Sequence, residues 1–190
     1  MMIGLVFISV SLVNLYIQSN RSITVIYPVY EADANLLSNI ELKSTNPILV
    51  EKPKIGDIIG IIEIPALKRE LQLLEGTEEA QLSLGVGHVV TSVLPGYQDN
   101  SVIAGHRGTT FRNLDQLVIG DTIIITTNYG TFTYTIHEIR IVEADDETVI
   151  VSTPQAILTL VTCYPFDFIG AAPQRYIVSA ELTQSFLKTQ

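Results

Sequence analysis

Short apolar runs, separated by turn residues, dominate the chain from Gly56 onward. Many of these runs are rich in β-branched residues, and several alternate apolar with polar positions, which is the pattern of a half-buried strand. The predicted strands cover residues 58–64, 70–74, 101–104, 122–127, 131–142, 148–152, 156–163 and 175–182. About eight short strands with few helices predict a mainly β domain that folds as a closed or nearly closed barrel.

The clearest hairpin joins residues 122–127 to residues 131–142 through the turn Asn128-Tyr129-Gly130. Gly130 is expected to supply the positive φ that tight turns require. Along the second arm, apolar side chains alternate with threonines and a histidine, so one face should be buried. The predicted buried side chains are Phe132, Tyr134 and Ile136.

Two segments between the strands carry helical signals. Residues 77–84 are predicted to hold one helical turn, with Thr77 as its N-cap and Glu78 and Glu79 in the first turn, where carboxylates favour the helix dipole. Residues 110–117 are predicted to form a short turn or helix. Their apolar side chains fall on one side at a spacing of three: Phe111, Leu114 and Leu117.

The start of the chain is apolar and carries no charge before Arg21. A helix of about 17 residues spans roughly 25 Å, slightly less than a bilayer core of about 30 Å. We expect residues 1–20 to be an uncleaved N-terminal membrane anchor. The alternative is a cleavable signal peptide, but a basic n-region and a small-x-small cleavage site are missing. Residues 21–54 are expected to be a linker with some helix, and residues 55–185 the globular domain.

The net charge and the motifs argue against two classes of function, nucleic-acid binding and nucleotide binding. The net charge of -9 argues against nucleic-acid binding, which requires clustered Lys and Arg to neutralise phosphates. The sequence contains neither a G-x-G-x-x-G nor a P-loop pattern, so a nucleotide-binding fold is disfavoured.

The chain contains one cysteine, Cys163, at the end of a strongly apolar predicted strand. An exported domain that uses cysteines structurally normally has an even number of them, so a single one suggests a free, reactive thiol. A buried cysteine that acts as a small hydrophobic residue is the alternative, and the spacing alone leaves both open.

Three side chains at strand ends form a candidate acyl-transfer site: Cys163, His106 and Arg175. Acyl transfer requires a nucleophile, a proton carrier and a group that stabilises the tetrahedral oxyanion, which a thiol, an imidazole and a guanidinium supply. Arg175 is the only cation between Ile141 and Leu187. It either pairs with Asp167 for structure or binds a substrate oxygen, because an unpaired buried charge is costly.

These motifs resemble those of the sortases, the bacterial cysteine transpeptidases. Thr159-Leu160-Val161-Thr162-Cys163 is similar to the family's T-L-x-T-C signature, and Ala104-Gly105-His106-Arg107 is similar to its histidine segment. Arg175-Tyr176-Ile177-Val178 resembles its arginine strand. The resemblance covers residues 56–183, and Cys163-Tyr164-Pro165-Phe166 is most similar to class D. The Asp-Pro-aromatic lid of the pilus-building class C is not seen before the domain, which argues against pilus assembly.

The resemblance implies an eight-stranded sortase-type barrel, anchored in the cell membrane by a single N-terminal helix, with its catalytic domain outside the cytoplasm. It implies that Cys163 cleaves an LPxTG-like or LPxTA-like sorting signal after Thr through a thioacyl enzyme. His106 would move the proton and Arg175 would orient the signal and the oxyanion. A cell-wall amine would then accept the protein. Substrate-binding roles are implied for Thr162, Ala104 and His88, and His88 is favoured for packing or substrate shaping over proton transfer.

Two alternative functions stay open. Water could resolve the thioacyl enzyme, which would make the protein a peptidase, or the barrel could bind cell-wall peptides without catalysis. No cofactor is expected. The acidic turn that precedes residues 148–152 is interpreted as solvated rather than as a calcium site, since calcium requires six or more oxygen ligands. Its members are Glu143, Asp145, Asp146 and Glu147.

Overall fold

The computed structural model describes residues 52–167, 170 and 172–188. Its strands are β1 (Ile58–Ile64), β2 (Arg69–Glu75), β3 (Val86–His88), β4 (Asp99–Ala104), β5 (Thr122–Thr127), β6 (Gly130–Glu143), β7 (Ala156–Tyr164) and β8 (Gln174–Leu187). They close into a barrel in the order β1-β2-β3-β4-β7-β8-β6-β5. The described part also contains one α-helix, α1 (Glu79–Leu82), and the 3-10 helices Pro65–Leu67, Leu114–Gln116 and Glu147–Val149. The predicted eight-stranded barrel is confirmed.

Apolar residues alternate with polar ones along the strands, and the apolar side chains fill the barrel interior. The predicted inward set on β6 is buried, since Phe132, Tyr134 and Ile136 are each at most 1% exposed. The Tyr134 hydroxyl accepts a hydrogen bond from the Gly96 N–H at 2.7 Å, so its polar atom is satisfied inside the core. The apolar positions predicted within residues 110–117 are buried as well.

Strand β7 lies between β4 and β8, and its central position is the one that its continuous apolar sequence predicts. Strands β4 and β7 run parallel, with Ala104 opposite Val161. Strands β7 and β8 run antiparallel, with Cys163 opposite Arg175. The carboxyl ends of β4 and β7 and the amino end of β8 therefore meet at one end of the barrel. We call this the cysteine end, defined by Ala104, Cys163 and Arg175.

The predicted strand over residues 148–152 is wrong. The chain there forms the 3-10 helix Glu147–Val149 and then continues without pairing to a strand. The carbonyls of Val149 and Val151 accept hydrogen bonds from the side-chain amide of Asn100 at 3.0 and 3.3 Å. Each strand of the closed barrel already has two neighbours, so this β-branched run has no free strand edge to join.

Strand β3 is the strand that the sequence pattern missed. It pairs in parallel with β2 and antiparallel with β4. Its central residue is Gly87, where an added Cβ would lie 2.3 Å from the Gly76 carbonyl oxygen. Glycine has low strand propensity, which hides the strand in the sequence, but this close backbone approach requires it.

Two local predictions about turns are also wrong. Gly130 does not adopt a positive φ; it begins β6, and a Cβ there would lie 2.8 Å from Phe132 Cζ and from the Phe186 oxygen. Glycine is therefore required for space rather than for backbone conformation. The N-cap of α1 is Glu78 instead of Thr77, and it makes no side-chain capping bond.

The predicted anchor (residues 1–20) and nearly all of the linker (residues 21–54) lie outside the described residues, which begin at Lys52. Within the described part of the chain, no helix has both the length and the apolar character to cross a membrane.

Candidate active site

Cys163 is a free thiol at the last position but one of β7. Its strand neighbour Thr162 is 2% exposed and Leu160 is fully buried, but Cys163 itself is partly exposed. A cysteine that only fills the core would be fully buried. The accessible position favours the reactive thiol over the structural alternative.

Arg175 lies directly across the strand pair from Cys163. Its Nη1 donates hydrogen bonds to the carbonyl oxygens of Ala172 and Gln174, at 3.1 and 2.9 Å. Among the described residues, Arg175 forms no ion pair with Asp167, so the structural pairing considered from the sequence is not seen. Backbone carbonyls hold one end of the guanidinium, and its other N–H groups have no hydrogen-bond partner among those residues.

Thr162 joins the strand that carries Cys163 to the segment that carries His106. Its Oγ1 donates a buried hydrogen bond of 2.7 Å to the carbonyl oxygen of Gly105. The Gly105 N–H in turn donates to the carbonyl of Val161 at 3.1 Å. The parallel β4–β7 pairing thus extends one residue beyond β4, to the position just before His106.

His106 begins a compact turn at the cysteine end. Its carbonyl oxygen accepts hydrogen bonds from the N–H groups of Thr109 (3.3 Å) and Phe111 (2.9 Å). Phe111 is fully buried against Gly105, where an added Cβ would approach its ring to 2.6 Å. The glycine before His106 is therefore required for space, and the turn leaves the imidazole side chain 42% exposed.

Two arginines to which the sequence analysis assigned no role hold this turn. Arg69, at the start of β2, donates from Nη1 to the carbonyl oxygens of Thr109 and Thr110, the latter at 2.8 Å. Arg107 donates from Nη2 to the carbonyl oxygen of Gly170, in the β7–β8 connection, at 3.0 Å. These contacts join residues 40 or more positions apart, so no local sequence pattern reveals them.

Glu79, on α1, is the carboxylate that contacts the imidazole. Its Oε2 lies 3.3 Å from His106 Nε2, and its side chain is 80% exposed. The sequence placed Glu79 in the first turn of a helix but gave it no role in the site. The only local signal was its charge, which the helix dipole explains equally well.

His88 lies in the core, 1% exposed. Its Nδ1 is 2.7 Å from Glu75 Oε2, and its Nε2 is 2.8 Å from the carbonyl oxygen of Val93. These contacts give His88 a packing role. Its assignment to the substrate site stays a prediction, and no described contact supports it. Ala104, the other small candidate, is half-buried between Gly87 of β3 and Val161 of β7.

Three aromatic rings pack beyond Cys163. Tyr164 and Phe166 have ring centroids 6.0 Å apart, and each also contacts Tyr176 of β8, the residue after Arg175. Burial is the main cause that raises the pKa of Tyr176, with smaller effects from Asp115 and Tyr164. The Tyr176 phenol is therefore neutral at physiological pH, and the cluster supports the base of the β7–β8 connection.

The acidic turn uses its carboxylates for local structure. Asp146 accepts hydrogen bonds from the hydroxyl and the N–H of Thr148 at 2.6 and 2.8 Å. Both bonds lower the pKa of Asp146, and the bond from the hydroxyl has the larger effect. Glu143 accepts a hydrogen bond from the Gln174 side chain at 3.0 Å. Across the described residues, no three His, Cys, Asp or Glu side chains converge as metal ligands would.

His137, which the alternation placed on the polar face, is exposed.

The cysteine end therefore combines an accessible thiol and a guanidinium on β7 and β8 with an imidazole in the turn that follows β4. A thiol attacks a carbonyl carbon, an imidazole transfers protons to or from an amine, and guanidinium N–H groups stabilise an oxyanion. This arrangement suits acyl transfer between amines.

Comparison with known proteins agrees with the fold and the motifs. The chain is 42% identical to sortase D of Bacillus subtilis over 128 residues, which are 67% of this chain and 65% of that protein. It is 33% identical to sortase A of Streptococcus agalactiae over 159 residues, 78% of this chain and 63% of that protein. The chain thus spans slightly less than two thirds of the length of either relative.

A solved structure of a Clostridium perfringens sortase D5 transpeptidase superposes with a TM-score of 0.63 at 34% identity, covering 69% of this chain and 82% of that one. The resemblance to class D that the motifs indicated is confirmed by these similarities. The family model for the sortase domain matches residues 62–183, which is more than half of the 190 residues and includes His106, Cys163 and Arg175. The chain therefore belongs to the sortase family.

Proposed function

We propose that this protein is a cysteine transpeptidase that cleaves an LPxTG-like sorting signal, LPxTG or LPxTA, after its Thr and transfers the new carboxyl end to a cell-wall amine. The observation that carries the proposal is the register of Cys163 opposite Arg175, with His106 just beyond the adjacent parallel strand. Its partners are surface proteins that carry the signal at their C-terminus and a peptidoglycan precursor that carries the amine. Neither half-reaction requires a cofactor.

The first half-reaction forms a thioester. The Cys163 thiolate attacks the carbonyl carbon of the Thr residue, and the N–H groups of Arg175 that the loop carbonyls leave free stabilise the oxyanion. His106, protonated, donates its proton to the leaving amine as the C–N bond breaks. Cys163 then holds the Thr carbonyl as a thioacyl group, and His106 is neutral.

The second half-reaction reverses these roles. The acceptor amine attacks the thioester carbon, and His106 takes a proton from its nitrogen. The C–S bond breaks, the Cys163 thiolate is restored, and a new amide joins the sorted protein to the acceptor. His106 carries the proton in both half-reactions, so one site serves the leaving and the incoming amine.

Location is part of the proposal. We infer that residues 1–20 anchor the protein in the cell membrane as a single span and that residues 55–185 act outside the cytoplasm. The uncharged apolar start of the chain supports the anchor, and the single cysteine fits a thiol kept for reaction in an exported protein.

The test uses the full chain in mild detergent, with Cys163→Ala as its control. LPxTG and LPxTA peptides are supplied with and without glycylglycine, and mass spectrometry detects the thioacyl adduct, the cleaved peptide and the ligated product. We expect an adduct and a ligated product that both require Cys163. Cleavage that never yields a ligated product with any amine would favour the peptidase. Peptide binding without an adduct would favour the non-catalytic barrel, which the complete Cys163, His106 and Arg175 set argues against.

A further inference from the structure

Glu79 occupies a position in the site that the two half-reactions leave without a task. Helix α1 connects β2 to β3 and brings the Glu79 carboxylate to 3.3 Å from His106 Nε2. The Glu79 side chain is 80% exposed, compared with 42% for His106. The carboxylate is therefore open to a solute that approaches the imidazole from the α1 side.

Two cationic side chains of the cysteine end contact the β7–β8 connection. Arg107 and Arg175 both donate to carbonyl oxygens of the β7–β8 connection, at Gly170, Ala172 and Gln174. Arg175 is the group that stabilises the oxyanion of the sorting signal in the proposed reaction. The cysteine end thus has guanidinium groups at the β7–β8 connection and a carboxylate on α1 that contacts the His106 imidazole.

The second substrate of the proposed reaction is a primary amine, which reaches the site with a positive charge. An α-amino group has a pKa of about 7.7–8.0 and a lysine-like amine about 10.4, so both are mostly ammonium at neutral pH. An ammonium is repelled by Arg107 and Arg175 and attracted by a carboxylate. It loses one proton to solvent to become the attacking amine, and His106, which Glu79 contacts, takes the second proton as the amide forms.

We propose that Glu79 is the acceptor-binding residue of the site: its carboxylate binds the incoming ammonium and holds it against His106. This inference rests on the proposed transpeptidase function and assigns the side of the active site from which the second substrate enters. The preferred acceptor is accordingly a cationic amine in place of water or an uncharged nucleophile.

The experiment compares Glu79→Gln with a matched control, Glu78→Gln, in the full chain in mild detergent. Glu78 is the adjacent exposed carboxylate and makes no ion pair or side-chain hydrogen bond within the described residues. Three rates are measured with one sorting-signal peptide: thioacyl formation without acceptor, transfer to glycylglycine, and transfer to hydroxylamine. Hydroxylamine is uncharged at neutral pH and resolves a thioester in the same way.

We expect Glu79→Gln to reduce kcat/KM for glycylglycine about fivefold relative to hydroxylamine, the scale of an exposed ion pair. Glu78→Gln should leave this ratio at the wild-type value. Equal losses of thioacyl formation and of both transfers would overturn the inference, because Glu79 would then only position His106. An unchanged ratio in a variant that still ligates would overturn it as well. Failure of the wild-type chain to form any thioacyl adduct would overturn the proposed function itself.

Discussion

At the residue scale, the Thr162 hydroxyl connects the two halves of the site. It donates to the carbonyl oxygen of Gly105, and Gly105 directly precedes His106. Both residues are buried, so water does not compete for this bond. The side chain next to the nucleophile therefore acts on the backbone of the histidine segment.

Thr162→Val keeps the shape of the side chain but removes the donor. We expect a loss of about 1–3 kcal/mol in the free energy of unfolding, because the Gly105 carbonyl is left buried without this bond. Slower thioacyl formation should accompany it, since the backbone before His106 loses its tie to β7. Urea unfolding and the rate of the Cys163 adduct measure the two effects. Thr162→Ser, which keeps the hydroxyl, is the control, and equal behaviour of the two variants would contradict the argument.

At the scale of elements, a buried contact between a carboxylate and an imidazole joins β2 to β3. Glu75 and His88 are opposite each other in the parallel register, their side chains are 2.7 Å apart, and each residue is 1% exposed. The Ser92 hydroxyl, 3.0 Å from His88 Nε2, already donates to a backbone carbonyl, so it accepts from the imidazole. Nε2 therefore faces two acceptors, the Ser92 hydroxyl and the Val93 carbonyl, while Nδ1 faces the Glu75 carboxylate.

We expect Glu75→Ala to reduce the free energy of unfolding by about 3–5 kcal/mol, because it leaves the buried imidazole without its partner. Glu70→Ala, at an exposed position on the same strand, should change stability by less than about 0.5 kcal/mol. Chemical denaturation measures both. The double variant Glu75→Leu with His88→Leu should recover most of the loss, since it removes the buried polar groups together. A Glu75→Ala variant as stable as Glu70→Ala would show that the pair contributes nothing.

This pair also has a consequence for the position of the site. His88 lies opposite Ile103 on β4, one residue before Ala104 and three before His106. The three-residue strand β3 is short, and side-chain hydrogen bonds from His88 to Glu75 and Val93 hold its end in place. The short strand can therefore support β4, which carries the histidine turn.

At the scale of the whole molecule, barrel closure decides which residues share an end. Closure gives every strand two neighbours, so the direction of each strand assigns its ends to one rim or the other. Cys163, His106 and Arg175 meet because two parallel strands end, and one antiparallel strand begins, at the same rim.

Location is also a property of the whole chain. We expect the full chain to remain with the membrane fraction after an alkaline wash, and a chain that begins at residue 23 to be released. Val10→Asp, which places a charge in the middle of the apolar segment, should weaken retention, because a charged residue costs about 2.5–3.5 kcal/mol at the centre of a membrane helix. Fractionation followed by immunoblotting measures this. Full release of the unaltered chain would contradict the anchor.

Much of the fold could be read from the sequence because its signals are local. The predicted bounds of β1 and β5 agree with the structure, and the inward set on β6 follows from simple alternation. The errors occurred where tertiary contacts override local preference. Residues 148–152 have strand propensity but no strand edge to join, and β3 is a strand whose central glycine is required by the carbonyl of Gly76.

The sequence by itself determined the β architecture, the family, and the candidate nucleophile, proton carrier and guanidinium. These features follow from residue type, spacing and alternation, which depend only on the order of residues in the chain. Only the tertiary structure decided that Arg69 and Arg107 hold the histidine turn, that His88 is buried against Glu75, and that Glu79 faces His106. The physical reason is that these contacts join different strands and loops. Their energies depend on distances that exist only after the barrel closes.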